Sequence, residues 1–141
     1  MNLQNFFTDT LNNGGASFNI TTGVYNPTQG YFVSLPNYTK KVPLEDFKTS
    51  HLKDFIDNNY DVLSNENNFV GGWVDNGIVY LDITEQITDR RRSLELAYNR
   101  GQKSVYNANS NVCIDLPTPQ KSGTTTQQKA YITITIDNLC K

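Results

Sequence analysis

Residues 69–106 read FVGGWVDNGIVYLDITEQITDRRRSLELAYNRGQKSVY, and two apolar runs in this stretch meet at Asn76-Gly77. An Asn-Gly pair favours a two-residue type I′ turn, because both turn residues need a positive φ. Such a turn makes a central β-hairpin in which Trp73 lies opposite Tyr80. Strand alternation gives the hairpin one apolar face, formed by Val70, Val74, Val79, Leu81 and Ile83. The opposite face carries Trp73, Tyr80 and Asp82.

A helix and a further strand follow the hairpin. Thr88 is placed to cap the helix, with Asp89 at its first position, where a carboxylate suits the helix dipole. Gly101 is placed to end it. The inward side of this helix is predicted to carry Leu94, Ala97 and Tyr98. Residues 103–106 then form a strand, and if that strand runs parallel to residues 78–83 the crossover is right-handed.

Further elements are predicted on both sides of this unit. Residues 1–13 carry apolar side chains at helical spacing, and such a helix docks either on its own domain or on a partner. A strong strand is expected at 30–35, with weaker ones at 16–22 and 112–116. Residues 40–47 are predicted to be irregular.

The second helix is expected to begin near residue 49, with Thr49 or Ser50 as its cap. Its inward stripe is predicted to contain Leu52, Phe55, Ile56, Tyr60 and Leu63. His51, the single histidine of the chain, lies in the first turn and is expected to be solvated. These elements together predict an α+β fold with a small mixed β-sheet and two to three helices.

Size and charge limit the possible functions. With 141 residues the chain is long enough for one domain with a real core, and the net charge of −2 argues against a general nucleic-acid or anionic-membrane binder. The sequence has no 18-residue apolar run and no basic, apolar leader, so we expect neither a membrane helix nor a signal peptide. We therefore expect a soluble protein made in a cytoplasm.

Candidate catalytic and metal-binding groups are few. The two cysteines, Cys113 and Cys140, lack metal-ligand spacing and are expected to be buried, reduced thiols, with one disulfide as the alternative. Asp54, Asp57 and Asp61 fall on one helix side, but no histidine joins them. No phosphate-binding glycine motif is present. We expect no cofactor, no metal and no enzymatic activity, and a small-molecule ligand is not expected.

The C-terminal end has a different composition. Residues 117–129 read PTPQKSGTTTQQK, which predicts a flexible polar linker between a core domain at 1–116 and a strand arm at 130–141. In the arm, Ile132, Ile134 and Ile136 share one face, while Tyr131 begins the other. An isoleucine-faced strand must pair, either with its own sheet or with a neighbouring subunit. These four residues are the predicted protein-binding residues.

Two further patches are candidates for a ligand or partner. Trp73, Tyr80 and Asp82 either line a site next to Gly71-Gly72, where backbone can approach closely, or belong to the core beneath a helix. Basic residues are concentrated at Arg90, Arg91 and Arg92. They form either a docking patch for a phosphate or an acidic surface, or an ordinary solvated helix face.

Several segments also match a known pattern in the right order. These are Gly72-Trp73-Val74, Val79-Tyr80-Leu81-Asp82-Ile83, Asp89-Arg90 and Gly101-Gln102-Lys103-Ser104-Val105-Tyr106. Over roughly residues 30–110 the chain resembles a family of small proteins of tailed bacteriophages, with the pattern GxWxxxGxVYLDVS…DR…A…GxxxxQxAIYDL. It departs from that family at Arg91 and Arg92, where acidic residues are common, and in its added residues 117–141. The resemblance implies a phage origin and a fold, and leaves the activity open.

The first functional hypothesis is a non-enzymatic structural or interaction module of a phage particle, associated with capsid, collar or tail. Its partners would be other phage structural proteins or further copies of itself, engaged through the C-terminal arm. The alternative is a host-takeover or anti-defence protein that binds a host protein or a small nucleotide through the Trp73 face or the arginines.

Overall fold

A computed structural model of the protein describes residues 3–116. In chain order the elements are α1 (Leu3–Asn13), β1 (Gly15–Phe18), β2 (Tyr31–Ser34), β3 (Lys40–Pro43), a 3-10 turn (Leu44–Asp46), α2 (Thr49–Asn58), α3 (Tyr60–Leu63), β4 (Asn68–Asp75), β5 (Ile78–Ile87), α4 (Arg90–Asn99), β6 (Ser104–Asn107) and β7 (Val112–Asp115). The α+β class is confirmed. Within residues 3–116 the seven strands exceed the small mixed sheet that was expected, and the five strand pairings given below are all antiparallel.

Two compact units share the chain. The first comprises residues 3–27 and 37–85, and the second comprises residues 28–36 and 86–116. In the first unit β1 pairs with β4, β4 with β5, and β5 with β3. In the second unit β6 lies between β2 and β7. Both neighbours of β6 run antiparallel to it, and the direction of residues 103–106 relative to residues 78–83 stays a prediction.

The β4–β5 hairpin has the predicted turn and the predicted register. Asn76 and Gly77 have φ values of 50° and 76°, as a type I′ turn requires. Trp73 pairs with Tyr80, and Gly72 with Leu81. The turn type and the register predicted from the Asn-Gly pair are confirmed.

One face of the hairpin forms the core of the first unit. Its side chains are completely buried at Val70, Val79, Leu81 and Ile83. Helix α1 packs on this face, since a Cβ placed on Gly72 would lie 3.1 Å from Phe6 Cε1 and 3.0 Å from Thr10 Oγ1. The N-terminal helix thus docks on its own unit.

The second predicted helix is interrupted and begins differently. It breaks at Asn59 into α2 and α3, and Tyr60, expected to face inward, is 60% exposed. Lys48 occupies the N-cap position in place of Thr49 or Ser50, and its backbone N–H donates to His51 Nδ1 at 2.9 Å. His51 is half-buried and stacks on Phe47, so the expectation of a solvated histidine is wrong.

A short strand was missed between residues 40 and 47. Strand β3 pairs with β5 through Lys40 and Lys41, while Val42 is buried. Lysines are common on edge strands because they oppose further pairing, and here they conceal the apolar signal. The sequence prediction of irregular structure is therefore wrong at Lys40–Pro43.

The second unit is built around α4. Its core contains Val33, Ile87, Leu94, Ala97 and Val105. The helix starts one residue later than predicted, with Asp89 rather than Thr88 at the N-cap position. Gly101, at φ 71°, ends it, and the N–H of Gln102 donates to Ala97 O at 2.9 Å. This closing pattern is the glycine C-cap that the sequence predicts. Within residues 3–116, no helix combines the length and the apolar character needed to span a membrane.

Candidate functional site

The face of the β4–β5 hairpin that is turned away from α1 presents a row of side chains that crosses four strands. Strand register aligns Gly15, Trp73, Tyr80 and Lys41 side by side. The Trp73 and Tyr80 rings stack with centroids 4.1 Å apart and planes 10° from parallel. Lys41 Nζ lies 5.7 Å from the Tyr80 ring centroid, a cation–π distance. This face is therefore ordered by stacking, although Trp73 is 41% exposed.

Gly15 ends this row without a side chain. Lys41 flanks Tyr80 on the β3 side, whereas the residue that flanks Trp73 on the β1 side is a glycine. A Cβ at Gly15 would lie 3.3 Å from Gly72 O, which is a tight contact, and 3.7 Å from Trp73 Cβ, which is an ordinary van der Waals contact. The space above Gly15, which we call the Gly15 notch, thus lies beside the outer face of the indole.

A buried carboxylate lies in the neighbouring row. Register aligns Ser17 with Gly71, and Gly71 with Asp82. The Asp82 carboxylate leans over Gly71, since a Cβ at Gly71 would collide with Asp82 Oδ1. Asp82 is only 9% exposed, so it is the most desolvated charged group on this face.

Asp82 has weak compensation for this burial. Trp73 Nε1 donates to Asp82 Oδ2 at 3.4 Å, which is long for a hydrogen bond. Loss of hydration raises the pKa of Asp82 from 3.8 to about 6, and the indole bond offsets only part of that rise. Neither of the salt bridges Lys53–Asp57 and Arg91–Glu95 includes Asp82, and no cation is paired with Asp82 within residues 3–116.

Thr84 extends the same face along β5. It lies two residues beyond Asp82 and opposite Phe69. Its Oγ1 is buried and has no hydrogen-bond partner. The face therefore holds two polar groups whose bonding capacity is incompletely used, next to an exposed aromatic stack.

The structure brings together three of the predicted site residues. Trp73, Tyr80 and Asp82 share one face, as predicted, and the indole of Trp73 touches both of the others. Sequence reasoning missed Gly15 and Lys41. No local pattern marks either residue, because strand register alone aligns both with Trp73.

The three arginines of α4 do not form one cluster of side chains. Arg90 lies over the Tyr31 ring at 5.9 Å, while Arg91 Nε pairs with Glu95 Oε1 at 3.0 Å. Arg92 is exposed. Successive helix residues point about 100° apart, so neighbours in sequence diverge on the helix surface.

Cys113 is exposed, which corrects the expectation of a buried thiol. It belongs to β7, which pairs with β6 alone and is the last strand of the sheet in residues 3–116. The expectation rested on the strand-like sequence around Cys113, but the other side of β7 has no strand neighbour within residues 3–116 and three of its four residues are exposed. Cys140 and the predicted arm residues Tyr131, Ile132, Ile134 and Ile136 lie outside the described residues.

The residues in 3–116 contain no group of three or more His, Cys, Asp or Glu side chains arranged to hold a metal ion. Comparison with known proteins adds no relative: no family model matches the chain, and no significant match exists among curated proteins or solved structures.

Proposed function

We propose that this chain is a non-enzymatic interaction module of a phage particle, and that it assembles by adding its C-terminal strand to a sheet edge of a neighbouring copy. The observation that carries the proposal is that, in residues 3–116, β7 has a strand neighbour on one side only. The phage context rests on the sequence resemblance, and the strand arm rests on the alternation of residues 131–136.

The edge of β7 offers an added strand both backbone hydrogen-bonding groups and apolar side chains. Its only partner strand within residues 3–116 is β6, so its outer backbone groups lack a strand neighbour there. Val112 is 56% exposed, and Ile114 packs on the core of the second unit while only partly buried. An added strand would satisfy the backbone groups and cover these side chains.

The predicted arm has the pattern that this edge needs. Val112 and Ile114 lie on the same face as buried Val105. A strand beside β7 would continue that core layer with Ile132, Ile134 and Ile136, while its threonines faced the side of Cys113. Because β7 ends at Asp115 and the linker begins at residue 117, the tether starts at the edge itself.

Cysteine cross-linking tests this arrangement. In a Cys140→Ser background, Thr133→Cys places a thiol on the face of Cys113, and Ile134→Cys places it on the opposite face as the matched control. Under mild oxidation we expect a disulfide dimer with Thr133→Cys and much less with Ile134→Cys. Exclusively intramolecular cross-linking, or equal yields from both variants, would overturn assembly through this edge.

Two further measurements complete the test. Light scattering with size-exclusion chromatography should show an oligomer for the full chain and a monomer for a chain ending at Leu116. Mass spectrometry of purified particles of the encoding phage should detect the protein, and its absence from particles would remove the virion assignment.

The exposed aromatic row supports the second candidate, a host-takeover or anti-defence protein. Tryptophan and tyrosine are the residue types that most often dominate binding energy at protein interfaces. Affinity capture from infected cells, compared between the natural chain and Trp73→Ala, should then recover a host protein only with the natural chain. A thermal-shift screen with nucleotides tests the small-ligand version of this candidate.

A further inference from the structure

We propose that the Gly15 notch receives an arginine side chain from a partner protein, which stacks on the outer face of Trp73 and donates to the carboxylate of Asp82. This site is built from residues of the first unit, whereas the β7 edge of the proposed assembly belongs to the second. It depends on the proposed function only in assigning the arginine to a partner protein.

The first argument is the unfilled position in the stacked row. Lys41, Tyr80 and Trp73 already form a cation–ring–ring series at 5.7 and 4.1 Å. Gly15 stands where the next side chain of the row would be, and Trp73 is 41% exposed. A planar cation fits there, because guanidinium groups stack on indole faces and tryptophan is the best cation–π acceptor.

The second argument is charge complementarity. Asp82 is nine-tenths buried, has the long indole bond as its contact on this face, and is in no ion pair within residues 3–116. A buried carboxylate is costly unless paired, so a cation at the notch would relieve that cost. The Asp82 carboxylate lies over Gly71. Because Gly71 precedes Trp73 by two residues in β4, the carboxylate lies beside the indole on the same face.

The third argument distinguishes arginine from lysine. A guanidinium stacks with its plane against the ring and directs N–H groups outward from its edge, so one group can contact the indole face and Asp82 together. An ammonium is a point charge with strong hydration and lacks the planar face. The site therefore favours arginine over lysine.

Titration with N-acetyl-arginine amide tests the site on the full chain. Trp73 is the only tryptophan, so the single indole N–H resonance reports on this site alone. We expect this resonance to shift with a dissociation constant on the order of millimolar, as for a single side chain without the rest of its protein. N-acetyl-lysine amide should bind more weakly, and the neutral N-acetyl-citrulline amide should produce no saturable shift.

Three variants make the test specific. Asp82→Asn should weaken binding about tenfold, because it removes a charged hydrogen-bond acceptor. Gly15→Leu should abolish the shift by filling the notch, and the dispersion of the backbone resonances shows whether each variant is folded. Tyr60→Ala removes an exposed aromatic ring elsewhere in the first unit and should leave the affinity unchanged.

Equal shifts with arginine and citrulline, or undiminished binding in folded Asp82→Asn or Gly15→Leu, would overturn the proposal. The outcome is independent of the assembly experiments. If the chain binds the arginine amide but forms no dimer, the proposed assembly is contradicted and this site is supported. If it forms the dimer but does not bind the arginine amide, this site is contradicted and the assembly is supported.

Discussion

The two faces of the β4–β5 hairpin share one backbone and one register, yet they are filled in opposite ways. Beneath α1, Val79, Leu81 and Ile83 are fully buried, whereas the other face carries the Trp73–Tyr80 stack and a desolvated Asp82. Alternation along a strand separates such faces, and what packs on each one decides its chemistry. The comparison teaches that the hairpin is at once the core of the first unit and its candidate binding surface.

The largest effect is expected on the closed face. Leu81→Ala should lower the free energy of unfolding by about 2 to 5 kcal/mol, because it leaves a cavity at a completely buried position. Urea unfolding followed by circular dichroism measures this change. Tyr60→Ala, at a 60% exposed position, is the control and should cost far less. A loss below about 1 kcal/mol for Leu81→Ala would contradict the assignment of this face as core.

Gly71 and Gly72 allow a sharper comparison, because a side chain added at one would point to the opposite face from a side chain added at the other. Gly72→Ala would press its Cβ against Thr10 and Phe6 at 3.0 to 3.1 Å, and we expect a cost of about 1 to 3 kcal/mol. Gly71→Ala would instead collide with Asp82 Oδ1. Replacing Asp82 by alanine should therefore rescue the Gly71 substitution and leave the Gly72 cost unchanged.

A double-mutant cycle on unfolding free energies reads out this difference. In the cycle of Gly71→Ala with Asp82→Ala, the double variant should lose much less unfolding free energy than the sum of the two single losses. The matched cycle of Gly72→Ala with Asp82→Ala should be close to additive. Similar coupling in both cycles would mean that the two glycines do not separate the faces as described.

The buried carboxylate should make stability depend on pH. Because burial raises the pKa of Asp82 to about 6, the folded state binds its proton more tightly than the unfolded state does. The contribution of the Asp82 carboxyl to the free energy of unfolding is therefore fully present below pH 4 and is lost as the pH rises through 6. Asp82→Asn removes this dependence, so its advantage over the natural chain should grow by up to about 3 kcal/mol between pH 4 and pH 7.

Paired unfolding curves of the two proteins between pH 4 and pH 8 check this prediction. Differences between the curves cancel the titration of all other groups that both proteins share. A constant difference across this range would show that the Asp82 carboxyl titrates near its ordinary pKa.

The smallest effect on stability is expected at Trp73. Trp73→Ala should lower the unfolding free energy by only about 1 kcal/mol, because the ring is 41% exposed and its main contact is the stack on Tyr80. The same substitution should remove the binding of partners at this face. A stability loss as large as that of Leu81→Ala would place Trp73 in the core instead.

Local chemistry made some features predictable. Asn76-Gly77 specifies its own turn, and a two-residue turn leaves one register for the strands, so every pair of the hairpin follows. Gly101 marks the end of α4 for the same kind of reason, since few other residues adopt its positive φ easily. These two features were predicted correctly from a few neighbouring residues, whereas the N-caps expected at Thr88 and at Thr49 or Ser50 proved to be Asp89 and Lys48.

Features that depend on distant neighbours were read incorrectly. Strand β3 exists because Lys40–Pro43 meets β5, and its own lysines argue against a buried strand. Cys113 is exposed because β7 lies at an edge, which its apolar sequence does not reveal. Tyr60 fits the helical stripe but lies beyond Asn59, whose non-helical backbone interrupts the helix.

The sequence alone determined the α+β class, the hairpin with its register, and the sharing of one face by Trp73, Tyr80 and Asp82. Only the tertiary structure decided that Lys41 and Gly15 flank that face, that Asp82 is desolvated, and that β7 is the last strand of the sheet within residues 3–116. The physical reason is the range of the interactions. Turn geometry and strand alternation act over a few bonds, whereas burial and strand neighbours depend on segments that are far apart in the chain.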